Sequence, residues 1–224
     1  MTVAEWLNTT FAALDGNVFR AMHGIANGFL TFVARVYSVI GDKGIIFILA
    51  AIVLMCFAKT RRIGVCMLGA VGLGAIITNL TLKVLIARPR PYVTSEEFAS
   101  FWHAVGSYGE NDLSFPSGHM TAITAAATAF FLTGNKKYSW VGYVCALFMG
   151  FCRIYLIAHY FTDVVCGAIV GLIAGTVAFF ITKGIFALLK KYETAKFCKF
   201  ALYDDVDVLF RKKKGEAGDN EKQE

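Results

Sequence analysis

The chain has 224 residues, 57% of them hydrophobic and only 17% charged, against about 25% charged in soluble domains. With a mean hydropathy of +0.58, this excludes an ordinary soluble globular domain and predicts an integral membrane protein of one domain. The formal charge of +6 suits cytoplasmic loops and anionic lipid; no basic patch is interleaved with aromatics in a polar domain, so no nucleic acid partner is expected.

The opening residues, MTVAEWLNTTFAALDGNVF, lack a basic region ahead of their apolar positions, so they are not expected to be a cleaved signal peptide. Residues 1–17 read as an N-terminal interfacial segment, and 18–189 as a transmembrane domain. Six apolar segments recur in it at about 18–41, 44–59, 63–87, 117–134, 138–157 and 161–189, each near the length of a bilayer crossing. The fold expected is all-α, a six-helix membrane bundle. The first segment carries Arg20, His23 and Arg35, so its start also fits an amphipathic interfacial helix.

Charge sets the orientation. Lys59, Arg61 and Arg62 follow the second segment, Lys136 and Lys137 the fourth, and Lys190 and Lys191 the sixth. All three clusters fall on one side, which the positive-inside rule makes the cytoplasm. Both termini are then cytoplasmic, and the long loop at about 88–116, with Glu96, Glu97, Glu110 and Asp112, is extracytoplasmic. Gly167, Gly171 and Gly175 form a stripe for close helix packing. Residues 190–224 read as a cytoplasmic tail whose basic run Arg211–Lys214 suits anionic lipid and whose last ten residues are expected to be disordered. The six cysteines form no CxxC pair and read as buried thiols acting as small hydrophobes.

Three polar islands interrupt the apolar pattern on the extracytoplasmic side. The first is LKVLIARPRPY, with Lys83 inside an apolar run and Arg90 seven residues later. An intramembrane charge is a functional signal by default, although a snorkelling lysine with two interfacial arginines fits equally. The second is FPSGH, where Ser117 can cap a helix and Gly118 lets an anion approach the free N–H groups of its first turn. His119 stands beside it as an acid or as a plain interfacial cap. The third is CRIYLIAHYFTDV, in which Arg153, His159 and Asp163 are polar. His159 and Asp163 are four apart, so a carboxylate could orient the imidazole, or the two could form a buried ion pair. Together the islands supply three cations, a helix N-terminus, two histidines and a carboxylate, the set that phosphoryl transfer requires. His119 and His159 with one carboxylate make a poor zinc set, and no metal or other cofactor is expected.

These islands resemble the motifs of the type 2 phosphatidic acid phosphatase (PAP2) family: KxxxxxxRP at Lys83 to Pro91, PSGH at Pro116 to His119, and the third motif at Cys152, Arg153, His159 and Asp163. The spacing selects Arg90 over Arg88. The resemblance covers about residues 44–185. It departs at Cys152, where the family carries serine, so one hydroxyl contact to phosphate would be lost. The resemblance implies a metal-independent, six-span membrane phosphatase related to the soluble vanadium haloperoxidases. It implies His159 as nucleophile, Asp163 as its orienting group and His119 as acid for the leaving group. Lys83, Arg90, Ser117, Gly118 and Arg153 would hold the phosphate. The substrate would be undecaprenyl pyrophosphate or a phosphatidic-acid-like lipid, with its tail left in the membrane. A non-catalytic lipid-phosphate binder or transporter of the same fold is the alternative, and would be expected to have lost a catalytic residue.

Overall fold

The computed structural model describes residues 1–206 apart from Asn111, and every regular element among them is helical. The basic run Arg211–Lys214 and the last ten residues lie outside the described residues.

Helix α1 (Val3–Thr10) starts at a capping box, with Thr2 and Glu5 each satisfying the other's backbone N–H. Helix α2 (Ala12–Gly24) follows, and α3 (Gly28–Ile40) begins at Asn27, whose side chain accepts from the Leu30 N–H. The segment expected at 18–41 is therefore two helices rather than one. Asn27 is a strong N-cap residue, and it restarts the helix where a single span would have to continue. A tight turn at Asp42–Gly44 leads into α4 (Ile45–Cys56), which is bent 48° from α3. Gly44 has φ +68°, and a Cβ there would also press on Ala122 at 3.1 Å.

Helix α5 (Ala58–Ala75) runs on through a π-helical turn, Ile76–Leu82, into the short α6 (Lys83–Ile86). The long loop holds two more helices, α7 (Pro91–Thr94) and α8 (Glu96–Ala104). Then come α9 (Gly118–Thr133), the brief α10 (Lys136–Ser139), α11 (Val141–Tyr155), the long α12 (Phe161–Lys191) and α13 (Lys196–Tyr203). Arg61 ties α13 back to the start of α5: its guanidinium donates to the carbonyls of Phe200 and Ala201 at 2.9 Å and of Asp204 at 2.8 Å. These carbonyls close a helix C-terminus, where a cation is favoured.

Helix α9 is the centre of the bundle. Its small residues Ala125, Ala126 and Ala129 are buried against α5 and α12, and it is apolar nearly all round, as a helix enclosed by others should be. The glycine stripe of α12 lies directly on it. A Cβ on Gly167 would stand 2.6 Å from the Ser117 carbonyl oxygen, and one on Gly171 would stand 2.7 Å from that of Thr121. The helices can touch backbone to backbone only because these positions are glycine. On the outside, large apolar side chains such as Leu80, Leu147 and Phe180 are exposed, the pattern of a lipid-facing surface.

By length and apolarity, two helical runs can cross a bilayer, Ala58–Thr94 and Phe161–Lys191, and the bent α3–α4 pair makes a third if it counts as one span. Helices α9 and α11 have 16 and 15 residues, short of the roughly 20 that a crossing usually takes. All six cysteines are free thiols, Cys66 and Cys152 buried.

Candidate active site

Lys83 owes its direction to the π turn. A π turn holds more residues per turn than an α-helix, so it resets the register of the residues that follow it. Lys83 is buried there, while its neighbours Val84 and Leu85 are exposed. Ala87, at φ +52°, ends α6, and Pro89 and Pro91 prevent a restart before Pro91. Arg90 is thus freed to fold back toward His159. Its Nη1 donates to the Ala158 carbonyl at 2.6 Å and lies 2.9 Å from Nε2 of His159. Arg153, in the last turn of α11, is fully buried. Its Nη2 donates to Glu110, but its Nε and Nη1 have no partner among the described residues. Buried N–H groups of this kind are costly to leave unpaired, so Arg153 has donors to spare for an anion.

His159 sits in the turn between α11 and α12. Its Nδ1 lies 2.8 Å from the Ser114 carbonyl oxygen, which can only accept. The proton is therefore assigned to Nδ1, leaving a lone pair on Nε2. That lone pair meets Arg90 at the edge of the cavity. Burial, reinforced by the positive charge of Arg90 and Arg153, holds the His159 imidazolium pKa well below its ordinary value, so the ring is neutral at physiological pH.

Asp163 does not hydrogen-bond His159. Its Oδ2 is 3.7 Å from Nδ1. Its oxygens are taken by Arg88 at 2.6 Å, by the Ser114 hydroxyl and by the Tyr160 N–H at 3.2 Å. Charged and capping donors outcompete the ring, and Ser114 mediates between the two residues.

Ser117 caps α9, its Oγ accepting from the Met120 N–H, and its own N–H donates to the Asp163 carbonyl at 3.1 Å. Gly118 lines the cavity; a Cβ there would meet only Asn79 Oδ1 at 3.6 Å, so the protein alone does not demand glycine. His119 turns its Nε2 to the Ser38 carbonyl at 3.2 Å, with Asp42 Oδ1 at 3.7 Å. The α3–α4 turn therefore carries a carboxylate beside the second histidine, which the sequence pattern gave no reason to single out.

A cavity of about 570 Å³ lies among these groups, bordered by Lys83, Gly118, His119, His159, Glu110 and Asp112. The last two fill its cationic end. Glu110 bonds Arg90 at 2.6 Å through Oε2 and Arg153 through Oε1, and its Oε2 is 4.0 Å from His159 Nε2. Asp112 bridges Lys83 and Arg90. Burial alone would raise both carboxyl pKa values, but Arg153 and Arg90 hold Glu110, and Lys83 and Arg90 hold Asp112, below the ordinary range. Two protein carboxylates thus share the three cations, and one of them, Glu110, also faces an imidazole nitrogen. Among the described residues no cluster of three or more His, Cys, Asp or Glu is arranged to hold a metal.

All eight predicted site residues thus converge on one end of the bundle. Cys152 does not join them. It is fully buried in the apolar cluster with Met149, Tyr155 and Leu156, one helix position before Arg153 and so turned about 100° away from it around α11. Ser114, Glu110 and Arg88 were not predicted. Arg88 had been set aside by motif spacing, and Ser114 acts through its backbone, which leaves no mark in a sequence.

The family model described as the PAP2 superfamily matches residues 63–186. The chain is 28% identical over 172 residues to "Undecaprenyl-diphosphatase BcrC" of Bacillus subtilis, covering 74% of this chain and 83% of that one. It is 32% identical over 148 residues to "Phosphatidylglycerophosphatase B" of the same organism, covering 62% and 65%. Among solved structures, the transmembrane PAP2 type phosphatidylglycerolphosphate phosphatase from Bacillus subtilis superposes with a TM-score of 0.61 at 25% identity, covering 82% of this chain and 90% of that one. With its apolar helices and the motif residues gathered at one end of the bundle, the chain belongs to the PAP2 superfamily and is a membrane lipid phosphatase of that type.

Proposed function

We propose that the chain hydrolyses a lipid diphosphate or phosphomonoester, of the undecaprenyl pyrophosphate or phosphatidic acid kind, on the extracytoplasmic face of the membrane. Catalysis proceeds through a phosphohistidine at His159, without a metal, within a six-span bundle whose termini are cytoplasmic. The observation that carries this reading is the seat of Glu110: an anion held between Arg90 and Arg153, 4.0 Å from His159 Nε2. Phosphate oxygens in that seat would also take up the spare donors of Arg153.

The chemistry follows from the proton on Nδ1. The Nε2 lone pair attacks phosphorus, the N–P bond forms and the P–O bond to the lipid breaks. The leaving oxygen takes a proton from His119, which lines the same cavity and enters the step as the imidazolium, leaving it neutral. Water then attacks phosphorus and gives its proton to His119; the N–P bond breaks and inorganic phosphate leaves. Lys83, Arg90 and Arg153, with the Ser117 hydroxyl and the Gly118 N–H, hold the equatorial oxygens throughout. Asp163 steadies Ser114, whose carbonyl keeps the ring in the reactive tautomer.

The test is turnover of a panel of lipid phosphates by purified protein in EDTA. Phosphate release should persist there, be inhibited by vanadate, and pass through an acid-labile phosphate on His159 that is absent from His159→Ala. Complete loss in EDTA, restored by a divalent ion, refutes the metal-free account.

A further inference from the structure

Arg88 is a fully buried charge that the phosphate cradle does not use. Its Nη1 donates to Asp163 Oδ1 at 2.6 Å and to Thr162 Oγ1 at 2.7 Å. Its Nη2 donates to Asp15 Oδ2 at 3.0 Å and its Nε to Asn8 Oδ1 at 2.8 Å. The guanidinium also lies 3.6 Å from the centre of the Tyr160 ring. Asp15, itself buried, takes the Thr162 N–H at 3.1 Å and the Thr162 hydroxyl at 3.0 Å. Both Asn8 and Asp15 belong to the N-terminal helices, ahead of residue 63 where the family match begins.

We propose that Arg88 and Asp15 are positioning residues of the phosphatase, fixing the Asp163–Ser114–His159 chain from behind. This rests on the reading of His159 as nucleophile. The connection is continuous. Arg88 holds Asp163 with its side chain, and its carbonyl accepts the Ser114 N–H at 2.8 Å. Asp163 accepts the Ser114 hydroxyl, and the Ser114 carbonyl accepts His159 Nδ1 at 2.8 Å. Ser114 is therefore gripped at its N–H and, through Asp163, at its hydroxyl, and both grips begin at Arg88.

Charge gives Asp15 a separate part. Arg88 alone would neutralise Asp163. Asp15 brings the cluster to two carboxylates and one guanidinium, a net charge of −1. When phosphorus bonds to Nε2 with a proton still on Nδ1, the ring becomes cationic. That charge develops 3.7 Å from Asp163, and the residual negative charge favours it. The cations of the cradle lie on the Nε2 side and oppose it, so the surplus carboxylate offsets a real cost.

The experiment uses the full chain in detergent, with the lipid phosphate that the wild type hydrolyses. Asp15→Asn, which keeps size and some hydrogen bonding, should lower kcat by about ten- to hundredfold, the range for losing a group that orients another. KM and the vanadate inhibition constant should be unchanged, because the cradle is untouched. Arg88→Ala should lose more, and added methylguanidine should restore part of its kcat by refilling the vacated site. An unaltered kcat in Asp15→Asn overturns the inference, as does a parallel loss of vanadate affinity, which would put the cluster in the phosphate clamp. Failure of both variants to fold makes the cluster structural and overturns it too. His159→Ala separates the two readings: if it retains turnover, the nucleophile assignment fails and this inference with it. If it is dead while Asp15→Asn is normal, only this inference fails.

Discussion

Replacing Glu110 by glutamine should make the enzyme better at low substrate concentration. In the resting structure its carboxylate accepts from both Arg90 and Arg153, in the seat assigned above to the substrate phosphate. Hydrogen bonds to charged groups contribute about 1.5–3 kcal/mol each, and an incoming phosphate must displace both. Glutamine keeps the volume and one acceptor oxygen but loses the charge, so about half of that total, roughly 1.5–3 kcal/mol, is removed from the competing state. At about 1.4 kcal/mol per factor of ten, KM should fall ten- to hundredfold, with kcat nearly unchanged. The assay is steady-state phosphate release in mixed micelles, with vanadate inhibition measured in parallel. The vanadate constant should fall by the same factor, because vanadate competes for the same seat. A KM that stays level or rises would show that Glu110 does not occupy the phosphate position. A tenfold fall in kcat would make Glu110 part of the reaction instead of a rival to the substrate.

The same contact predicts a pH dependence of stability. Glu110 and Asp112 have pKa values held below the ordinary carboxylate range, so their ion pairs stabilise the fold above that range and are lost as pH falls through the lowered values. The difference in melting temperature between wild type and Glu110→Gln should therefore be constant near neutrality and vanish in acid. Arg153→Lys should be nearly inactive, since an ammonium cannot reproduce the planar fork that holds Glu110 and keeps further donors spare; retention of most turnover would remove Arg153 from the site. Cys152→Ser should leave turnover intact and lower the melting temperature, because the hydroxyl would enter the apolar cluster around Met149 and Leu156; a tenfold loss of activity would mean the thiol reaches the phosphate after all. A cysteine at the exposed Ser107, in a background without other reactive cysteines, should react with an impermeant thiol reagent on whole cells. Labelling only after lysis would invert the proposed topology.

The parts of the site legible in the sequence were those written in side chains at fixed spacing. Lys83, Arg90, His119, Arg153 and His159 interrupt apolar runs, where a polar residue stands out. The helix start at Ser117 was legible for the same reason, as was the packing role of the glycine stripe. What stayed hidden depends on pairing across distance. Nothing local ties Asp15 to Thr162, or distinguishes Glu110 from the other acids of its loop. Arg88 was discounted because a motif specifies one arginine, whereas the fold uses both for different ends. The π turn that aims Lys83 inward leaves an ordinary apolar stretch in the sequence. The break at Asn27 was readable as an N-cap, but hydropathy carried the segment through it.

Asp15 and Thr162 are 147 positions apart and bonded to each other. Chains emerge from the ribosome N-terminus first, so α1 to α6 are made while α12 is still unmade. At that stage Arg88 has Asp15 to face but no Asp163, and Lys83 and Arg90 have no histidine at position 159 beside them. On the proposed mechanism, a chain halted midway in synthesis would hold a cluster of cations without its nucleophile and would not strip phosphate from the lipids around it. The proposed site would be complete only once His159 and the first turn of α12 have joined the bundle, so hydrolysis would begin late in synthesis.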